Sequence, residues 1–207
     1  MNTLPWASVL PFLLVWIPAV ATPGINAVFS ITAGVRFSFS RALFAPLGLA
    51  CASFVYGAAT SLGLTLVLAA IPDFLTLLRY GGGTLMLWYA WRTWRHAWKV
   101  GEGHVDSTSR GMLLLQGLTI SISNPQAMLA YLLLMGPFVT GDAPWYLYQV
   151  TVVPAAALAV FSIYCLYALF GIQIRRFLRN PAGQRVLRII VVIVYCAIAL
   201  GFYTGTI

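Results

Sequence analysis

The sequence predicts an all-α integral membrane protein with six transmembrane helices, built as two inverted three-helix repeats. A single domain covers residues 1–207, with halves of roughly 1–105 and 106–207. Three observations predict this class. The chain is 61% hydrophobic and 8% charged, with a mean hydropathy of +0.90, whereas about 25% of residues in a soluble domain are charged. The basic residues fall in alternate short segments between apolar runs. Two of those runs are interrupted internally by a proline beside an asparagine, and Pro23 and Pro125 lie 102 positions apart, close to half the chain.

The first span is read as Leu4–Ala33. Ala19-Val20-Ala21 resembles a signal-peptide cleavage site, but no Lys or Arg precedes it and the apolar run continues through Ala27-Val28-Phe29, so a retained span is expected. The second span, Ala42–Ile71, follows Arg36 and Arg41 and carries Gly48, Ala52, Gly57 and Ser61, small residues that let helices approach closely. Pro72-Asp73 ends it. The third, Tyr80–Trp98, starts with Gly81-Gly82-Gly83 and leaves the membrane through Trp91, Trp94 and Trp98 beside Arg92, Arg95 and Lys99. Trp concentrates at headgroup level, so that cluster reads as an anchor. The fourth, Gly111–Val139, contains the second break. The fifth, Pro144–Gly171, follows Gly141-Asp142, with Trp145, Tyr146 and Tyr148 near its outer end. The sixth, Leu187–Tyr203, follows the basic stretch from Arg175 to Arg188.

Charge placement orients the spans. Arg36 and Arg41, then Arg92, Arg95, Lys99 and Arg110, then Arg175, Arg176, Arg179, Arg185 and Arg188 occupy alternate connections. That puts 11 of the 12 basic residues on one side and leaves Arg79 with Asp73 and Asp142 on the other. Lys and Arg near span ends are retained in the cytoplasm, so both termini of a multi-pass protein of the inner (cytoplasmic) membrane should face outward. The pI of about 9.8 therefore reports topology, and no nucleic-acid partner is expected. Three spans per half give the halves opposite orientations, a common arrangement in secondary transporters.

The two breaks, Thr22-Pro23-Gly24-Ile25-Asn26 and Ser123-Asn124-Pro125-Gln126, carry the functional expectation. Proline removes a backbone donor and clashes with the preceding turn, and in hydrocarbon the freed carbonyls are tolerated only against protein or a water-filled cavity. Interrupted spans at corresponding places in two halves point to a substrate site. Proline kinks that only shape a bundle are the plainer alternative. By this reading Asn26 and Asn124 flank a substrate near the midplane, Pro23, Gly24 and Pro125 hold the backbone open, and Gln126 is a further candidate. No ionisable residue falls deep in any span, which argues against a buried carboxylate relay and a metal-ligand set. No nucleophile–base pair can be assembled, so neither enzyme chemistry nor a cofactor is expected. Neutral amides, hydroxyls, half-helix N-termini and unwound carbonyls could together hold a small zwitterion.

These residues resemble the LysE/RhtB family of amino-acid exporters. Pro23-Gly24-Ile25-Asn26 is similar to the family's Pro-Gly-Pro-Asn, and Ser38, Arg41, Ala42, Gly48 and Ala52 are similar to its small-residue pattern with a basic residue. Gly81-Gly82, Leu87-Trp88-Tyr89, Trp94-Arg95, Asn124-Pro125 and Pro137-Phe138 continue the likeness. The chain departs where Ile25 replaces the second proline, Gln126 replaces a basic residue and Ala130 follows Leu129 in place of an aspartate. Val160-Phe161-Ser162 also lacks the acidic residue that other members carry in the fifth span. The resemblance implies export of an amino acid driven by the proton-motive force. Its implied partners are the amino-acid substrate and the lipid bilayer, with a homo-oligomer left open.

Two readings from other classes stand beside it. Cys51 and Cys165 occupy roughly equivalent places in the two halves and could serve a membrane thiol-redox carrier, although Cys51, Cys165 and Cys196 all sit in apolar surroundings without CxxC spacing. A non-transporting membrane assembly protein is the other. The topology is directly testable. In a background with the native cysteines changed to Ser, Ser107→Cys and Asp142→Cys should react with an impermeant maleimide from opposite faces, and labelling of both from one face would overturn the six-span layout.

Overall fold

The computed structural model describes residues 6–62, 74–95, 108–135, 145–175 and 180–204, and all regular structure among them is helical. The first span is two helices, α1 (Trp6–Ala21) and α2 (Ile25–Arg36), bent by 65° at residues 22–24. A short α3 (Phe39–Ala42) leads into α4 (Phe44–Ser61), and α5 covers Phe74–Arg95. Around the second break lie α6 (Arg110–Ile122), α7 (Pro125–Ala130) and a π-helical segment, Tyr131–Met135. A one-residue hitch at Thr151 separates α8 (Trp145–Val150) from α9 (Val152–Ile174), and α10 (Pro181–Thr204) closes the chain.

Local chemistry explains the boundaries. Ser109 caps α6 by accepting from the Met112 amide at 3.1 Å. Asn180 Oδ1 accepts from the Ala182 amide at 3.0 Å, and Pro181 takes the first helical position, where its missing N–H costs nothing. The last helix therefore begins six residues before the expected Leu187, running through Arg185 and Arg188.

Among the described residues, Phe39–Ser61 and Tyr146–Ile174 are long and apolar enough to cross a membrane, and the bent pair Val9–Ala21 with Ile25–Arg36 makes a third span. The expected six-span layout reaches into residues beyond these. The break at Ser123-Asn124 leaves α6 short, and in α10 the basic first turns confine the apolar stretch to Arg188–Gly201. Residues 63–73, 96–107 and 136–144, and with them the ends read at Ile71, Trp98 and Val139, lie outside the described residues.

The centre is a layer of α2, α4, α6 and α9, with α5 and α10 paired beside it. Contacts give the directions. Phe44 with Arg110 and Tyr56 with Ile122 run α4 parallel to α6, while Ile31 with Gly171 and Phe37 with Arg175 run α2 parallel to α9. Gly83 with Tyr203, Tyr89 with Tyr195 and Trp94 with Arg188 run α5 antiparallel to α10.

Glycine makes the two parallel pairs possible. A Cβ on Gly34 would overlap the Ala168 carbonyl, and one on Gly171 would overlap the Ile31 carbonyl. Likewise Gly48 lies against the Leu114 carbonyl, and a Cβ on Gly117 would stand 2.5 Å from the Ala45 carbonyl. Such backbone-to-backbone packing replaces the hydrophobic drive that lipid cannot supply. Large apolar side chains then face outward, including Leu14, Phe54, Leu166 and Ile193, as a lipid-facing surface requires. At the basic end Arg41 donates to the Thr108 carbonyl at 2.7 Å and Arg175 to the Phe37 carbonyl at 3.2 Å. Trp88, Trp91 and Trp94 are exposed, with Arg92 over Trp88 and Arg95 over Trp91, but Tyr148 is buried in the core.

Gly34→Ala and Gly117→Ala should each lower the thermal midpoint in detergent by an amount reflecting about 1–3 kcal/mol of overpacking. Gly81 has nothing within 4 Å of its would-be Cβ, so Gly81→Ala should be neutral or stabilising by up to about 1 kcal/mol of helix propensity.

Candidate functional site

A helix that stops inside an apolar bundle leaves its last four carbonyls without helical donors. In α1 these belong to residues 18–21, and each has a partner. The Thr22 hydroxyl donates to the Pro18 carbonyl at 3.1 Å, and the Thr22 amide donates to Ala19 at 3.3 Å. The Tyr164 hydroxyl donates to Val20 at 3.3 Å, and the Tyr167 hydroxyl donates to Ala21 at 2.7 Å. Both tyrosines come from α9, one turn apart, so one helix face closes the first break.

The second break repeats the device with the halves exchanged. Pro125 has no N–H to continue α6, and the Tyr56 hydroxyl of α4 donates to the Ile122 carbonyl at 2.6 Å. The Asn124 amide turns back to the Ser121 carbonyl at 3.1 Å. The chain then restarts as α7, with the Met128 amide on the Asn124 carbonyl at 3.2 Å.

Between the breaks lies a cavity of about 260 Å³, near the lower end of small-molecule sites at about 300 Å³. Its polar lining is Thr22, Asn26, Ser53, Ser121, Asn124 and the rings of Trp16, Tyr131 and Tyr164, with Gly24, Val20, Ile25, Val160 and alanines beside them. Among the described residues, no Asp, Glu, Lys, Arg or His lines it. All four acidic residues of the chain, Asp73, Glu102, Asp106 and Asp142, lie outside the described residues.

Asn26 and Asn124, 8% and 5% exposed, line this cavity together. Gly24 also lines it as the N-cap of α2, and offers the first-turn amides no side-chain acceptor. Pro23 is exposed and is not part of the lining, so its contribution is to the bend. Pro125 begins α7, while its side chain and that of Gln126 lie outside the described side chains. Cys51 and Cys196 are exposed and Cys165 is half-buried, and none of the three lines the cavity.

Sequence reasoning missed the aromatic wall. Phe12 stacks on Trp16 at 5.3 Å, Trp16 meets Tyr131 edge-on at 4.4 Å, and Tyr131 stacks on Tyr56 at 5.6 Å. The Tyr131 hydroxyl is hydrogen-bonded to Ser53 across to α4. Tyr164 and Asn26 line the same cavity. A signal was present: tyrosines recur at helical spacing inside otherwise apolar spans, where a hydroxyl must find a partner.

Comparison with known proteins gives a consistent picture. The family model described as "LysE type translocator" matches residues 17–205. The chain is 27% identical over 159 residues to a threonine efflux protein of Salmonella typhi, covering 72% of this chain and 76% of the relative. A threonine efflux protein of Escherichia coli strain K12 is 28% identical over 153 residues, covering 70% and 74%. An uncharacterized membrane protein of Synechocystis sp. is 26% identical over 171 residues, covering 81% and 82%. No solved structure matches the chain.

Removing a capping hydroxyl while keeping its ring isolates the carbonyl account. Tyr56→Phe and Tyr167→Phe should each cost about 1–3 kcal/mol by stranding Ile122 O or Ala21 O, seen as a lower thermal midpoint of purified protein. An unchanged midpoint in both would mean that water already serves these carbonyls.

Proposed function

The chain belongs to the LysE type translocator family, and on that premise we propose that it exports a small neutral amino acid, a zwitterion of threonine's size and kind, across the cytoplasmic membrane. The observation that carries this reading is the neutral cavity between the two breaks, in which Asn26 and Asn124 stand together. A zwitterion is net neutral, so a site without formal charges can hold it without leaving an ion uncompensated in low dielectric. The relatives named for threonine efflux support the substrate class.

The proposed roles follow from donor and acceptor chemistry. An ammonium group offers only donors and a carboxylate only acceptors. The amide oxygen of Asn26 suits the ammonium. The uncapped start of α2 presents free N–H groups and the positive end of the helix dipole, which suits the carboxylate. Asn124, carried on the second break, completes the frame from the other half. Opposed breaks of this kind, in halves of opposite orientation, fit an alternating-access exporter with both termini outside.

The test is counterflow of labelled threonine in proteoliposomes, against empty liposomes. Wild-type protein should accumulate label. Asn26→Ala and Asn124→Ala should abolish exchange per folded molecule while yield and melting stay close to wild type. If the two asparagines only bridge helices, an interaction worth about 0.6 kcal/mol on average, stability falls first and transport tracks folded protein. A purified Asn124→Ala protein with wild-type exchange per folded molecule removes that residue from the site.

A further inference from the structure

Among the described residues, four buried side-chain polar atoms have no hydrogen-bond partner: Trp16 Nε1, Asn26 Oδ1, Thr32 Oγ1 and Arg188 Nε. Two of these four belong to residues of the cavity lining, one from each side of the first break. Trp16 is 1% exposed, and a buried indole N–H ordinarily finds an acceptor because leaving it bare is costly. Its surroundings in the wall are the rings of Phe12 and Tyr131, and the one hydroxyl of that pair is engaged with Ser53. Trp16 belongs to the cavity lining, so the acceptor missing from the protein is one that a ligand seated there can supply once the indole turns slightly toward it.

We propose that Trp16 is a specificity-determining residue: its indole N–H donates to a hydroxyl oxygen on the substrate side chain and so selects hydroxy amino acids over aliphatic isosteres. This rests on the reading of the cavity as the amino-acid site. The unpaired pair is complementary to such a ligand. Asn26 Oδ1 needs a donor, which the ammonium group provides, and an ammonium can do nothing for Trp16 because it has no acceptor. The carboxylate is claimed by the amides at the start of α2. What remains for Trp16 is the side chain. A site built to hydrogen-bond a substrate hydroxyl rejects the analogue lacking it, since the protein group is then buried unpaired. A purely apolar pocket discriminates weakly between the same two molecules.

Threonine and valine differ by a hydroxyl for a methyl, so they are the probes. In proteoliposome counterflow, unlabelled threonine should compete better than valine by about tenfold for wild-type protein, one hydrogen bond's worth of discrimination. Trp16→Phe keeps an aromatic ring against Phe12 and Tyr131 and removes the donor together with part of the indole's volume. It should erase the difference, bringing the half-inhibitory concentrations of threonine and valine together. A preference for threonine that survives in Trp16→Phe overturns the proposal. The wild-type arm needs no variant to fold: thermal stabilisation of wild-type protein by threonine and valine to equal extents also overturns it, while leaving amino-acid export standing. Wild-type liposomes that exchange no amino acid would instead remove the export reading, and this inference with it.

Discussion

Hydrocarbon gives no hydrogen bonds, and the architecture turns on how the broken backbone is supplied with them. Breaking a helix at residues 22–24 frees the carbonyls of Pro18, Ala19, Val20 and Ala21, and the local chain can serve only the first two, through Thr22. The others depend on α9 lying close enough for Tyr164 and Tyr167 to reach. That closeness is set by Gly34 and Gly171, whose missing side chains let α2 and α9 touch backbone to backbone. Tyr164, Tyr167 and Gly171 fall on one face of α9 at spacings of three and four. Packing and capping are therefore one device. On α4, Gly48, Ala52 and Tyr56 at successive steps of four do the same for the second break.

Satisfying the carbonyls with hydroxyls from a facing helix has a consequence for the space between. A lysine or arginine could also have donated to them, but a cation at that depth is costly and would set the charge of the site. Tyrosine supplies the donor and keeps the cavity neutral, with its ring filling the wall. Asn26 Oδ1 and the Trp16 N–H are the buried polar atoms of the lining left without a partner inside the protein. Their sparseness favours a ligand that carries its own compensating charges, as a zwitterion does, over a bare ion that would need a full coordination shell.

The breaks themselves were legible in the sequence because proline and glycine act locally: Pro23, Gly24 and Pro125 disrupt an apolar period wherever they stand. Asn26 and Asn124 drew notice because each stands beside one of the breaks, and both line the cavity. The tyrosine caps were not legible, since a tyrosine near a span end reads equally well as an interfacial residue. Tyr146 is exposed as that reading expects, whereas Tyr148, two residues on, is buried. Trp16 was hidden for a related reason: an indole in an apolar run looks like ordinary hydrophobic surface until its N–H is found without a partner. Helix ends set by polar caps beside charge, such as Asn180-Pro181, were misread because the arginines that follow look like a loop.

The two caps also cross between halves. The hydroxyls that close the break in the first half come from α9 of the second, and the one that closes the second break comes from α4 of the first. Neither half can satisfy its own interrupted helix. An arrangement in which each half merely packed against the other would let them separate at the cost of apolar contact, which lipid restores. Here separation strands carbonyls in hydrocarbon on both sides at once, at several kcal/mol per unsatisfied group. The halves are thus held together most firmly at the depth of the cavity they enclose.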